Sequence, residues 1–185
     1  MISTVFVCES WGALRALLGP RPAQSRAGAP LWVGDVDDKE AARFLAHLGV
    51  EADVAQVCVG LVGGALLLLE RAAGLYFAGA SVGAIRAKLM DLMAVDFELA
   101  GVPEGGGEAE HAQKVGAVTA LLRSGSQALS AAEWRERVPD AGRREQLLDS
   151  GILNFDGQRV VFASRLARLY AEEVLQAKHA AAKRK

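Results

Sequence analysis

Few residues of this chain have the types and spacing that could carry out chemistry, and one such match lies at residues 79–83. These residues read GASVG and match G-x-S-x-G, the nucleophile elbow in which a serine sits on a turn between a strand and a helix. A helical pattern follows Ser81, but the run before it, ALLLLERAAGLYFA, is also typical of a helix. We therefore predict that Ser81 is the N-cap of the following helix. A serine hydrolase using Ser81 is a remote alternative.

Glu9 and Ser10 come directly after an apolar, β-branched run, Ser3 to Cys8, that is typical of a buried strand in a parallel sheet. Ligands of open α/β sheets bind at the carboxyl ends of such strands. Glu9 and Ser10 are therefore candidates to hydrogen-bond a phosphate or orient a water molecule; the alternative is a plain polar strand end. Arg26, in the Gly- and Pro-rich stretch of residues 19–30, is a weaker phosphate candidate because most loop arginines are solvated.

Two adjacent glycines, Gly63 and Gly64, interrupt a helical pattern in the middle of the first half. Glycine lets another group approach the backbone closely, so this pair could face the base of a nucleotide. Alternatively, the pair breaks the helix so that the two resulting helices can pack against each other. The packing interpretation is favoured because it needs no ligand.

The composition sets the broad class of the protein. The 185 residues are 51% apolar and 23% charged, which excludes a disordered or collagen-like chain. The two cysteines, Cys8 and Cys58, have no histidine or second cysteine at ligand spacing, so neither a metal site nor a disulfide framework is predicted. The longest apolar run, residues 57–69, is too short to span a bilayer, and no signal peptide is visible. We expect an intracellular, cytoplasmic protein, with the nucleus as an alternative, and no membrane partner.

The first half is predicted to contain a strand, the helix-like segment WGALRALL at residues 11–18, a second strand and then four helices. After the second strand, Leu31 to Val33, the spacing of Asp37 and Glu40 predicts a capping box for a helix that ends before Gly49. Three further helices are predicted over residues 52–62, 65–78 and 81–99. The middle one of these three is apolar nearly all round, which is typical of a centrally packed helix.

The second half follows the run GVPEGGG at residues 101–107, the best candidate for a domain boundary. Its pattern predicts three helices, two short β runs around Asp156-Gly157 and a closing helix, which is the order of a winged helix. Residues 111–185 carry 13 basic and 8 acidic side chains (net +5), whereas residues 1–100 carry 8 basic and 11 acidic ones (net −3).

A winged helix raises the question of nucleic-acid binding. Its third helix can enter the major groove while arginines of the wing contact phosphates, so Arg143, Arg144 and Arg159 are the candidates. Glu145 and Asp149 on the same third helix would be repelled by phosphates. A packing or protein-binding role is therefore favoured over contact with DNA.

In chain order the sequence contains the strand STVFVCES, a basic loop with Ser25-Arg26, the strand LWVGDV, the helix DDKEAARFLAHLGV, the segment LVGGALLLL, a helical lid and a winged helix. From about Ile2 to Glu173 this order resembles the C-terminal half of STAND-type P-loop ATPases, relatives of the AAA+ family that include the archaeal ATPase branch. The resemblance implies that the first strand carries the sensor position beside the nucleotide. It also implies that Gly63-Gly64 opens a lid helix over the adenine.

The chain departs from this family in the motif that binds phosphate. A P-loop ATPase needs G-x-x-x-x-G-K-[ST], and no lysine of this sequence follows a glycine. Family members also tend to have a proline shortly after the two glycines, where this chain has Ala65-Leu66. We therefore expect no ATP hydrolysis by this chain alone and no cofactor of its own. ATP and Mg²⁺ would bind only if a P-loop half is present.

These observations lead to one expected architecture and function. The expected fold class is mostly α (α+β). Residues 1–36 are expected to form a partial α/β ATPase core that retains a remnant of a parallel sheet, and residues 37–100 a helical lid. Residues 108–178 are expected to form a C-terminal winged helix, followed by a basic tail at residues 179–185. Because two strands cannot complete a buried parallel sheet, we expect a fragment of a larger protein or a sheet completed by another chain. The expected function is a regulatory or protein-interaction module with an incomplete nucleotide site, whose partner is a protein or the missing ATPase half. A small winged-helix DNA-binding regulator is the alternative, with nucleic acid as its partner.

Overall fold

The computed structural model describes residues 34–102, 108–156 and 158–182. These residues are mostly helical, with one small antiparallel sheet, which confirms the mostly-α α+β class. The predicted strands Ser3 to Cys8 and Leu31 to Val33 lie outside the described residues, as do the candidates Glu9, Ser10 and Arg26. Within the described residues no helix is both long and apolar enough to cross a membrane.

Four helices of the described residues form the first unit, and side-chain caps start the first and the last of them. They are α1 (Asp38–Leu48), α2 (Ala52–Val62), α3 (Leu66–Phe77) and α4 (Val82–Leu99). The Asp37 carboxylate accepts the backbone N–H of Glu40 at 2.8 Å at the start of α1, and Gly49 ends that helix with a φ of 92°. The Asp37 N-cap and the predicted end before Gly49 are thus confirmed. Of the predicted capping box only the Asp37 half is present, because the Glu40 carboxylate accepts a hydrogen bond from Arg43 at 2.7 Å.

The second unit begins with α5 and contains a three-stranded sheet. Its elements are α5 (Glu108–Arg123), β1 (Ala128–Ser130), α6 (Ala131–Arg137), α7 (Ala141–Asp149), β2 (Leu153–Phe155), β3 (Arg159–Phe162) and α8 (Arg165–Ala182). The strand order is β1-β3-β2 and both pairs are antiparallel, with Leu129 opposite Val160 and Asn154 opposite Val161. The predicted hairpin around Asp156 is confirmed, and the Asp156 carboxylate accepts the backbone N–H groups of Gln158 and Arg159.

A single apolar core joins the two units. Helix α8 packs against α2 and α4 of the first unit as well as against α5 and β3 of the second. At the α4 contact the rings of Phe97 and Tyr170 lie 4.8 Å apart between centroids, and Phe97 is almost fully buried. Leu121, Leu147 and Leu166 continue the same core into the second unit. The burial of these side chains holds the units together.

Helix α3 differs from its prediction. The apolar pattern predicted a helix packed on nearly all sides, but only Leu69, Ala72 and Ala73 are buried, whereas Leu67 and Phe77 are 63% and 59% exposed. The prediction of a centrally packed helix is therefore wrong for α3, which lies at the surface of the described structure.

Candidate functional site

The turn between α2 and α3 is formed by the two glycines that the sequence singled out. Gly63 has φ 70° and ψ −144°, a conformation that side-chain-bearing residues rarely adopt. A Cβ on Gly64 would lie 1.7 Å from the carbonyl oxygen of Val36, and the Val36 N–H donates to the Gly64 carbonyl at 3.2 Å. The backbone of Val36, in the segment before α1, therefore fills the space over Gly64, so the close approach comes from a loop and not from a second helix. Contact of these glycines with a nucleotide base stays a prediction.

Arg165, the first residue of α8, connects this turn to the second unit. One guanidinium nitrogen donates to both carboxylate oxygens of Asp38, at 2.9 and 3.2 Å, and the other donates to the Val59 carbonyl at 3.2 Å. A Cβ on Gly63 would lie 3.4 Å from the Arg165 Cβ. The cation thus sits between the last turn of α2, where helix carbonyls carry partial negative charge, and the first turn of α1.

Asp35 lies beside this arginine and has a perturbed acidity. Partial desolvation of the carboxyl group raises the pKa of Asp35 above its ordinary value although the residue as a whole is exposed, and the positive charge of Arg165 opposes that rise. Desolvation therefore disfavours the ionised form of Asp35, and the attraction of the Arg165 guanidinium offsets part of that cost.

Asp35 and Arg165 line a groove of about 300 Å³ between the two units. Other polar lining residues are Ser126, Gln127, Ser164 and Arg168. The Arg168 Nε donates to the Glu172 carboxylate at 2.9 Å, so both guanidinium groups of the groove are already paired with carboxylates. The charge of each arginine is thus already compensated by Asp38 or Glu172, which weakens the attraction of this groove for an anion.

Sequence reasoning identified Gly63 and Gly64 but missed Asp35 and Arg165. The ion pair of Arg165 with Asp38 spans 127 positions of the chain, and no local spacing signals a contact at that separation. The local signal at Asp35 is the short polar segment GDVDD, whose pattern indicates a strand end and a helix cap but not a distant arginine partner.

The arginines predicted to contact DNA are held by the protein to different degrees. Arg143 and Arg144 lie on α7, and Arg143 donates to the Gln113 side chain at 2.8 Å. Arg144 donates to two backbone carbonyls in the turn before α7, each at 2.6 Å. Arg159, at the start of β3, is exposed and lies 3.4 Å from the Asp156 carboxylate. These contacts account for Arg143 and Arg144 without a nucleic acid.

Ser81 is a helix cap in the structure. Its hydroxyl accepts the backbone N–H of Ala84 at 3.3 Å at the start of α4, which confirms the predicted N-cap. Helix α3 precedes the turn, whereas a nucleophile elbow needs a strand there. The interpretation of G-x-S-x-G as a nucleophile elbow is therefore wrong, and the structure does not support a hydrolase that uses Ser81.

A buried lysine that the sequence did not single out also joins the units. Lys114 on α5 is almost fully buried, and its ammonium donates to the Gln146 side chain at 2.8 Å. Gln146 on α7 in turn donates to the Leu99 carbonyl at the end of α4, at 3.1 Å. Lys114 thus helps fix the second unit on the carboxyl end of α4.

The described residues hold no group of three or more His, Cys, Asp or Glu side chains placed to bind a metal ion. Compared with known proteins, the chain matches no family model, no curated protein and no solved structure.

Proposed function

We propose that this chain is a regulatory and protein-interaction module of the kind found in STAND/AAA-like ATPases, composed of a lid and a winged helix. Its nucleotide site is incomplete without a core that supplies the P-loop. ATP and Mg²⁺ are then ligands of the completed site. Gly63 and Gly64, the sensor candidates Glu9 and Ser10, and the loop arginine Arg26 as a phosphate candidate lie on its nucleotide side.

The order of elements supports this assignment. A unit of four helices is followed by helix, strand, two helices, a hairpin and a closing helix, and the sheet order β1-β3-β2 places the hairpin strand β3 in the centre. That is the order expected for a helical lid at residues 37–100 followed by a winged helix at residues 108–178.

The observation that carries the proposal is the contact at the two glycines. Arg165 opens the helix that follows the hairpin, and it reaches the Gly63 turn, the Val59 carbonyl and Asp38 at once. A ligand or partner that moves the Gly-Gly turn must therefore disturb the position of the second unit. Such a coupling is what a regulatory module needs.

A DNA-binding regulator is the second candidate, and one observation favours it. Arg159 is exposed at the hairpin, where a wing arginine would meet phosphate, and residues 111–185 have a net charge of +5. The internal bonds of Arg143 and Arg144 weaken this candidate. Its test is a DNA titration at several salt concentrations, because phosphate contacts release counterions. Binding that is absent at low salt, or unchanged by salt, would eliminate it.

The coding sequence on the 5′ side of the Met1 codon tests the ATPase proposal. An in-frame G-x-x-x-x-G-K-[ST] within a β-rich stretch would support it and would turn Gly63 and Gly64 into testable nucleotide contacts. A stop codon directly before that codon would contradict the version in which the core and this module share one chain. In that case the core would have to be a separate protein, and binding assays with candidate partners would follow.

A further inference from the structure

The groove between the two units lies beside the point where the described chain begins. Gly34 is the first described residue, and Asp35, the next one, forms one wall of the groove. The other walls come from Ser126 and Gln127 before β1, from the end of β3 and from the start of α8. The segment that precedes Gly34 therefore joins the described fold directly beside this groove.

The chemistry of the groove fits a small, neutral occupant. Val161 and Phe162 at the end of β3 contribute half-buried apolar surface to it. Its two guanidinium groups, of Arg165 and Arg168, each already bind a carboxylate, so little charge is left to attract an ionic ligand. Its volume of about 300 Å³ lies at the lower end of the range of about 300–1,000 Å³ for small-molecule sites. Such a space suits one or two large side chains better than a helix.

The residues directly before Gly34 have this chemistry. Residues 31–33 read LWV, which is apolar and uncharged, and they lie outside the described residues. Three residues of extended chain span at most about 10–11 Å, so the Cα of Trp32 lies within that distance of the Cα of Asp35 whichever way the chain runs. An aromatic ring also packs well on a guanidinium group. A segment tethered so closely has a high effective concentration at the groove, which any other molecule must exceed to compete.

We propose that residues 31–33 of this chain fill the groove and pack their side chains against Val161 and Phe162. The segment then contacts both units at once and adds to the link that Arg165 makes between them. A protein that binds residues 1–33 must withdraw the segment from the groove and thereby weakens the link between the units. The inference goes beyond the proposed function and does not depend on a nucleotide.

Disulfide trapping tests where the segment lies. In a Cys8→Ser background, Val33→Cys is combined either with Ser126→Cys in the groove or with Leu67→Cys at the start of α3. Leu67 is the matched control because it is 63% exposed and lies three residues after Gly64, which contacts the segment before α1, so a segment outside the groove would reach it. A disulfide needs Cβ atoms about 3.5–4.5 Å apart, so under mild oxidation the pair with Ser126→Cys should form at least about tenfold faster.

A second cysteine position covers the other side of the segment. Successive side chains of an extended chain point to opposite sides, so Trp32→Cys is combined with the same two partners. Ser126 and Leu67 are both exposed, so their cysteine variants should fold, which circular dichroism checks. The remaining native thiol, Cys58, is buried and should not compete.

Thiol reactivity gives an independent readout. The rate at which a thiol reagent modifies Ser126→Cys is measured with residues 31–33 native and with all three replaced by serine. The serine replacement should raise this rate about fivefold or more, because the groove loses its cover. The rate for Leu67→Cys should not change.

Three results would overturn the proposal. They are a disulfide with Leu67→Cys that forms as fast as the one with Ser126→Cys, no disulfide between Ser126→Cys and either Trp32→Cys or Val33→Cys, and an unchanged Ser126→Cys thiol rate after the serine replacement. ATP hydrolysis by the chain alone would contradict the proposed function and would leave these three results unaffected, so the two failures are distinguishable.

Discussion

Replacing Arg165 with leucine removes the contact that links the second unit to the Gly-Gly turn. The lost ion pair with Asp38 is about half exposed and is expected to contribute about 0.2–1 kcal/mol. The lost hydrogen bond to the Val59 carbonyl adds about 0.5–1.5 kcal/mol. Arg165→Leu should therefore lower the free energy of unfolding by about 0.7–2.5 kcal/mol. Urea denaturation followed by circular dichroism measures this change.

The matched control for this prediction is Arg43→Leu. Arg43 pairs with Glu40 at 2.7 Å within α1 alone, so its loss should cost at most about 0.5 kcal/mol. A double-mutant cycle with Asp38→Asn should show a coupling of about 0.2–1 kcal/mol between Arg165 and Asp38. Equal costs for the two arginine variants, together with no coupling to Asp38, would refute the assignment of Arg165 as the link between the units.

Three further predictions concern the same region and the interface beside it. Gly64→Ala should destabilise the fold strongly, because the added methyl carbon would lie 1.7 Å from the Val36 carbonyl oxygen. Gly74→Ala, whose methyl group meets open space, should stabilise the fold by about 0.5–1 kcal/mol. Equal melting temperatures for the two variants would contradict this prediction. Lys114→Met should cost about 1–3 kcal/mol in urea denaturation because the hydrogen bond from the buried Lys114 ammonium to Gln146 is lost. The exposed control Lys88→Met should cost little. Asp35 has a raised pKa in the folded state, so its ionised form penalises folding at neutral pH and the penalty disappears as the pH falls through that pKa. Asp35→Asn should therefore raise the free energy of unfolding at neutral pH, and this increase should disappear in acid. An increase of the same size at all pH values would show that desolvation of the Asp35 charge does not cause it.

The features that the sequence predicted correctly depend on neighbours in the chain. The caps at Asp37 and Ser81 need only a side chain and a backbone N–H three residues later. The hairpin around Asp156 depends on the turn residues between two short β runs. Each of these signals is local, so a single sequence contains it.

The features that the sequence missed depend on contacts across the fold. Strand β1 has only three residues, and its identity comes from pairing with β3, so no periodicity could indicate it. The links made by Arg165 and Lys114 bring together residues that are far apart in the chain. For α3, an apolar pattern on all sides does not tell a buried helix from a surface helix that exposes Leu67 and Phe77.

The central proposal is that this chain regulates or binds other proteins and that its nucleotide site is incomplete without a P-loop core. ATP turnover by the purified chain, followed through successive chromatographic steps, tests it most directly. The account predicts that any turnover separates from the protein during repurification, because the chain has no G-x-x-x-x-G-K-[ST] motif. Turnover that co-elutes with the protein at constant specific activity would contradict it.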